Sequence, residues 1–244
     1  MRPLHIIMPM AGEGSRFLKE GWTTPKPLIE LNGKSLFQRA VGSVANVNAP
    51  MKYSFIVRQE HIDNQHIDTL LKEACPAANI FSVQQTTRGA VETCLIAEKA
   101  ISEEDAVLVM DCDLEFRSTG LVQYIRTVLN KQSDEVNGGA LVSFESQDPR
   151  YSYAQVDADN CVLRTAEKEV ISNHALCGAY FFSTSRDFLS AAHRLLNEPV
   201  FTKPEFYVSL LYNYLLQDNQ MVRLFPLEEY YSYGTPEELK RYLC

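Results

Sequence analysis

The segment Pro9-Met10-Ala11-Gly12-Glu13-Gly14-Ser15-Arg16 directly follows a short apolar stretch. Glycines there let the backbone come close to a ligand, and successive N–H groups form a concavity that binds anions. Arg16 adds a fixed positive charge whose planar fork matches phosphate oxygens. Ten residues on, Pro25-Lys26-Pro27-Leu28 sets one lysine between two prolines, each with its own φ locked. A lysine held in that way, facing a Gly loop that bears an arginine, suits the charge that builds on a transferring phosphoryl group. A second cluster, Asp111-Cys112-Asp113, follows the apolar run Ala106–Met110. Residues i and i+2 of a strand share a face, so both carboxylates are expected to converge on one hard cation. The carboxyl edge of an open α/β sheet is where such sheets bind ligands.

The frame that must position these groups is legible in the alternation of elements. Leu4–Met8, Tyr53–Val57, Ile80–Val83, Ala106–Met110 and Ala140–Phe144 are near-continuous apolar runs, as in strands covered on both faces. Helix-length segments lie between them, near 35–46, 62–74, 89–100 and 118–131, the first opened by a Ser35/Gln38 capping box. From about residue 150 the rhythm changes. Ala154–Val156 and Val162–Thr165 read as a hairpin, Ala175–Phe182 as another apolar strand, and 185–196 and 204–217 as helices. Thr235-Pro236-Glu237-Glu238 supplies an N-cap, a first-turn proline and a capping box for a last helix. The expected fold is α/β and Rossmann-like: a mixed, mainly parallel sheet with helices on both faces and a small antiparallel appendage. No repeat or linker divides the chain, so residues 1–244 are expected to form one domain.

Composition narrows the function. The 244 residues carry 23 Lys+Arg against 31 Asp+Glu, a net charge of −8, with 45% hydrophobic and 22% charged residues. That balance excludes disordered and fibrous classes and argues against nonspecific nucleic-acid binding. Yet residues 1–34 hold five basic against three acidic side chains, a basic island suited to a polyanionic small molecule. No apolar run approaches the length of about 18 residues that a membrane span needs, and Pro9 interrupts the N-terminal one as no signal peptide would be. Six cysteines without a CxxC pair suggest reduced, packed thiols and a cytoplasmic location. The Gly loop lacks both the third glycine of the dinucleotide fingerprint and the Gly-Lys-Ser/Thr of a P-loop. His61 and His66 lack a third zinc ligand, and Gly12-Glu13-Gly14-Ser15 is no nucleophile elbow. His5 reads as structural, and Tyr230-Tyr231-x-Tyr233 as core or pocket wall.

The stretch from Ile6 to Leu36, with Gly12-x-Gly14-Ser15-Arg16 and Pro25-Lys26-Pro27-Leu28, resembles the N-terminal signature of the sugar-phosphate nucleotidyltransferases. Within them it is most similar to the small single-domain members of capsule and surface-polysaccharide gene clusters. The resemblance implies that Met10, Ala11, Gly12, Gly14 and Ser15 grip a nucleoside triphosphate. It gives Arg16 the departing pyrophosphate and Lys26 the α-phosphate as catalytic residues, and places Mg2+ at Asp111 with Asp113 beside it. Gln84-Gln85-Thr86-Thr87-Arg88-Gly89-Ala90 resembles the family's base-reading Gln-x-x-Gly-Thr-Ala, with Gly89 and Ala90 aligned and the threonine between them missing. Glu167 and Lys168 match a Glu-Lys pair that holds the acceptor's hydroxyls and phosphate, and Gly178 begins a matching Gly-x-Tyr-x-Phe strand. One departure concerns the metal: where many members carry a second aspartate before a C-terminal Gly-Thr, this chain has Ser232 before Tyr233-Gly234-Thr235. Either Asp113 supplies the second carboxylate or the metal is held more loosely.

The resulting expectation is a Mg2+-dependent nucleotidyltransferase. It would join a nucleoside triphosphate, CTP or UTP before others, to a phosphorylated sugar or alcohol and release pyrophosphate. Residues 1–145 would bind the nucleotide and 146–244 the acceptor. The alternative is a metal-dependent glycosyltransferase using Asp111-Cys112-Asp113 as a sugar-nucleotide DxD motif, and a third reading is a non-catalytic nucleotide-binding regulator. Neither nucleic acid nor membrane is expected as a partner, and homo-oligomerisation is left open.

Overall fold

The computed structural model describes residues 1–198 and 205–242. In chain order come β1 (Leu4–Met10), α1 (Ser15–Lys19), the short strands β2 (Glu30–Leu31) and β3 (Lys34–Ser35), and α2 (Leu36–Gly42). Then follow β4 (Met51–Arg58), α3 (Gln59–Gln65), α4 (Ile67–Ala74), β5 (Asn79–Val83), α5 (Ala90–Leu95) and β6 (Ala106–Met110). Next are β7 (Leu114–Arg117), α6 (Thr119–Leu129), β8 (Gly139–Glu145), β9 (Ser152–Val156), β10 (Val162–Glu167), β11 (His174–Phe182) and α7 (Ser185–Leu196). The chain closes with α8 (Leu211–Gln217), β12 (Val222–Pro226), β13 (Glu229–Ser232) and α9 (Pro236–Lys240).

Nine of these strands form one mixed sheet. β5, β4, β1 and β6 run parallel, and β11 joins antiparallel against β6. The long β11 gives one edge to β6 and then β9, and the other to β8, which carries parallel β12. The appendage is the β9–β10 hairpin, hung on the same sheet. Along β1 the side chains alternate as a doubly covered strand requires. Leu4, Ile6, Met8 and Met10 enter one core with Phe55 and Leu108, while Ile7 enters the other with Ile56 and Val107.

Several boundaries differ from the periodicity for local reasons. The expected helix 62–74 is two, broken where His66 takes φ 52° and caps α4. The 89–100 segment is α-helical only to Leu95 and ends in a tighter turn at Glu98–Ala100. Within 204–217, described from residue 205, the chain makes a turn at Val208–Leu210 and then α8, and Cys244 lies outside the described residues. The Ser35/Gln38 and Thr235/Glu238 capping boxes are both formed.

At the amino edge of the parallel strands, far from their ligand-binding edge, sits a buried polar knot. His5 is fully buried between Asp105 (3.1 Å) and Ser54 (2.8 Å), and Asp105 also accepts from Lys52 (2.7 Å) and the Ser102 N–H (2.9 Å). Burial works to raise the Asp105 carboxyl, but the bonds from His5, Lys52 and Ser102 outweigh it and hold it below its ordinary 3.8. Arg2, one of the five basic side chains of the island, is likewise structural, donating to the carbonyls of Lys131 and Ser183. A lowered carboxyl stabilises the fold above its unfolded pKa, and that contribution is lost as pH falls through the folded value. Asp105→Ala is therefore expected to cost about 2–4 kcal/mol at pH 7, by stranding buried donors. In urea unfolding followed from pH 7 to pH 3, the gap from wild type should narrow below about pH 4.

Candidate active site

The site forms where β1 and β6 end. β1 runs out at Met10 into the Gly loop, which turns into α1 with Gly14 as its N-cap. Gly12 has no positive φ, and a Cβ there would meet nothing within 4 Å. The fold alone does not require glycine at that position, which leaves room for a ligand against the backbone. Met10 and Ala11 are buried beneath the loop, and Ser15 and Arg16 are exposed on α1. Phe17, on the inner face of α1, packs with Ile29, Leu31, Leu36, Tyr233 and Leu239. The loop is thereby tied to the C-terminal segment.

Lys26 opens a tight helical turn, Lys26–Leu28, with Pro25 before it and Pro27 within it. The turn bonds of Leu28 and Ile29 fix its backbone, as the two prolines implied. Its ammonium bonds Asp113 and lies 5.7 Å from the centre of the Phe17 ring. Burial opposes the lysine's charge, but Asp113, the Cys112 thiol and Asp111 more than offset it and hold the pKa above its ordinary value.

Strand alternation is not what aims the two aspartates. β6 stops at Met110, and the chain bends at Cys112 and Asp113 before β7 begins. β7 pairs with β13, and the Tyr233 N–H donates to the Asp113 carbonyl at 2.8 Å. Asp111 turns the other way, against β11, where its N–H donates to the Gly178 carbonyl at 2.9 Å. Gly178 sits at φ 91° in a register break of β11, and a Cβ there would collide with the Asp111 carboxylate. Burial, then the repulsion of Asp113, push the Asp111 carboxyl up to about 8, with Lys26 pulling it down and Glu167 adding to the rise. Burial pushes the thiols of Cys94, Cys112 and Cys177 up as well, so they are packed groups, not nucleophiles.

A cavity of about 300 Å3 joins these pieces, with Arg16, Lys26, Asp111, Asp113, Glu167 and Gly178 among its lining residues. A second, of about 270 Å3, runs from Asp111, Asp113 and Lys26 back to Pro9, Met10, Gly12 and Gly14. Glu167 is buried, accepting from Ser152 (2.5 Å) and Ser209 (2.7 Å). Lys168, at φ 53°, does not line either cavity; it donates to the Tyr207 hydroxyl at 2.7 Å, which raises its pKa, and Tyr207 lines the larger cavity. Ala90 also lines that cavity. Gly89 makes a close approach instead, since a Cβ there would fall 2.5 Å from the Phe206 backbone nitrogen. Gln84 and Gln85 are exposed beyond β5, in a loop joined to the Gly loop by the Thr86–Glu13 hydrogen bond of 3.1 Å.

Sequence reasoning missed one corner. Arg150 and Glu238 line the same cavity, paired at 2.6 Å, and Glu238 also takes the Ser232 hydroxyl at 2.9 Å. Glu238 was visible only as a capping-box residue. Tyr151, Tyr180, Tyr207 and Tyr230 complete the wall, in keeping with the pocket-wall reading of the Tyr230 run. Among the described residues no group of three or more His, Cys, Asp or Glu is placed to hold a metal, so a cation here would have two aspartates and its other ligands from water or substrate. The donors fit one nonetheless: both are hard oxygens, Asp113 already holds the Lys26 ammonium, and Asp111 carries a carboxyl raised by burial and then by its negative neighbours.

Solved structures and one family model resemble the chain. The fold is shared with the nucleoside-diphosphate-sugar pyrophosphorylase of Vibrio cholerae RC9, at a TM-score of 0.83 and 26% identity over 98% of this chain and 99% of that one. The inositol-1-phosphate CTP transferase of T. maritima superposes at 0.71, with 16% identity over 99% and 94% of the two chains. The UDP-glucose pyrophosphorylase of Acinetobacter baumanii does so at 0.70, with 15% identity over 100% and 92%. No curated protein sequence matches the chain. No helix among the described residues is long and apolar enough to cross a membrane. The family model of the MobA-like NTP transferase domain matches residues 6–217, from the first strand through α8, and the chain belongs to that family of nucleotidyltransferases.

Proposed function

We propose that the protein transfers a nucleoside monophosphate from a nucleoside triphosphate to a phosphorylated sugar or similar small phosphorylated molecule, in the cytoplasm and for surface-polysaccharide synthesis. The observation that carries this reading is the convergence of the Gly loop, Arg16, Lys26, Asp111 and Asp113 on two adjoining cavities. The solved structures named above, which include a sugar-nucleotide pyrophosphorylase and a CTP transferase, support it. A phosphate oxygen of the acceptor would attack the α-phosphorus in line, and the bond to the β-phosphate oxygen would break, releasing pyrophosphate.

The Gly loop, through Gly12, Gly14 and Ser15, offers its backbone to the triphosphate, while Arg16 faces the departing pyrophosphate and Lys26 the α-phosphate. Met10 and Ala11 support the loop, and Gln84, Gln85, Gly89 and Ala90 border the base, for which CTP or UTP is favoured. Glu167, Gly178 and, through Tyr207, Lys168 form the acceptor side. Mg2+ held by Asp111 and Asp113 would neutralise phosphate charge. A glycosyltransferase would have no departing pyrophosphate to give Arg16 and Lys26 their place beside the aspartates.

Pyrophosphate release, measured with Mg2+ across CTP, UTP, GTP, ATP and dTTP and a panel of phosphorylated sugars and alcohols, is expected to need one triphosphate and one acceptor together. Binding of a nucleotide sugar with no release from any pair would turn the reading to glycosyl transfer. Lys26→Ala is expected to lower kcat by about 10²–10³-fold while changing triphosphate binding much less; equal losses would make Lys26 a binding residue only. Asp111→Asn should abolish turnover yet stabilise the fold. A raised carboxyl destabilises progressively as pH climbs from its unfolded 3.8 to its folded value of about 8. The variant's Tm should therefore exceed that of wild type at pH 8, with the gain fading by pH 4.

A further inference from the structure

Among the described residues, Lys26 is the one side chain that borders both cavities and also the adjoining cleft between the Gly loop and α3. Its ammonium bonds Asp113 Oδ2. On the reading proposed above, that carboxylate is also where a divalent cation would bind, so one oxygen is claimed by two positive groups. A metal ion and an ammonium cannot share it without strong like-charge repulsion.

We propose that Lys26 and the divalent cation exchange on Asp113. In the free protein the lysine occupies the metal's place; when metal arrives, the ammonium is displaced toward the Gly loop. The inference rests on that reading of the site. The side chains of Lys26 and Asp113 are 22% and 20% exposed, so water and metal can reach the pair. The Lys26 backbone is fixed by its turn, but the four-carbon stem is free to swing. Room for the ammonium lies beside Gly12 and Gly14, where nothing stands within 4 Å of an added Cβ, and the Phe17 ring already lies 5.7 Å from Nζ. The device imposes an order: the lysine's charge is released for a phosphate only once the cation has taken over Asp113, and before that both charges are masked.

Mn2+ binding to the full chain without nucleotide, followed by water-proton relaxation, tests the exchange. Lys26→Met is expected to bind Mn2+ about five- to tenfold more tightly than wild type, by removing the competitor. Asp113→Asn is expected to weaken binding in both backgrounds. Equal affinity in wild type and Lys26→Met, with Asp113→Asn still weakening both, overturns the exchange and leaves the metal reading standing. No effect of Asp113→Asn in either background overturns the metal reading and the exchange together. In the unmodified protein, Mg2+ should raise the rate at which an amine-selective acylating reagent labels Lys26, read by peptide mass spectrometry against exposed Lys72. A Lys26 rate that stays level or falls overturns the exchange, even if the methionine variant does not fold.

Discussion

Two carboxylates two residues apart, at the mouth of a buried strand, set the terms for much of this molecule. Asp111 is raised by burial and by Asp113, so the pair destabilises the fold wherever both are ionised. The surroundings are arranged to tolerate that. Lys26 is brought to Asp113 from a turn stiffened by two prolines, and β11 carries glycine at its register break, where no Cβ fits beside the Asp111 carboxylate. A chain optimised for stability alone would have closed this corner with apolar side chains, as it does at Leu108 and Met110 just before it.

Holding those charges in register requires both ends of the chain. The Gly loop leaves β1 near the N-terminus, while β13 and α9 arrive from the C-terminus. They meet through Phe17, Tyr233 and Leu239, and through the exposed Lys240–Glu20 pair at 2.5 Å. The apolar contacts carry the attachment, since an exposed ion pair is screened by solvent and contributes little. Because β13 also pairs with β7, the same strand that closes the site sets the bend that aims Asp113. Lys26, the carboxylates and the loop are thus coupled through one small core at the rim of the sheet.

That coupling marks the limit of what the sequence discloses. Strands buried on both faces were legible nearly to the residue, Ala106–Met110 without error, since an unbroken apolar run has few other homes. Capping boxes were legible because their partners lie three residues apart. β7 and β13 were missed: each is four residues long, and their pairing spans more than a hundred residues of chain. The helix break at His66 was missed because the apolar spacing runs through it while the backbone does not. At the candidate site, residue type and spacing singled out Arg16, Lys26, Asp111 and Asp113, which line one cavity. Arg150 was not singled out, since nothing near it in the chain announces Glu238 as its partner. Lys168, chosen beside Glu167, points instead to Tyr207, a contact across the fold that no local pattern encodes.

The substitution at Ser232 acquires a physical meaning in this setting. Its hydroxyl donates to Glu238 Oε2, the Thr235 N–H donates to the same oxygen, and Arg150 sits on Oε1. The corner next to Gly234 therefore holds a carboxylate, but one already matched by a guanidinium and two neutral donors. An aspartate at 232 would set a second carboxylate against Glu238, and the capping box that starts α9 would be strained by the repulsion. With serine there, Glu238 can serve the helix and Arg150 together. The negative charge that a cation would meet then comes from Asp111 and Asp113, with Lys26 already resting on the second of them. A chain that closes its site with a capping glutamate has little use for an acidic residue six positions earlier.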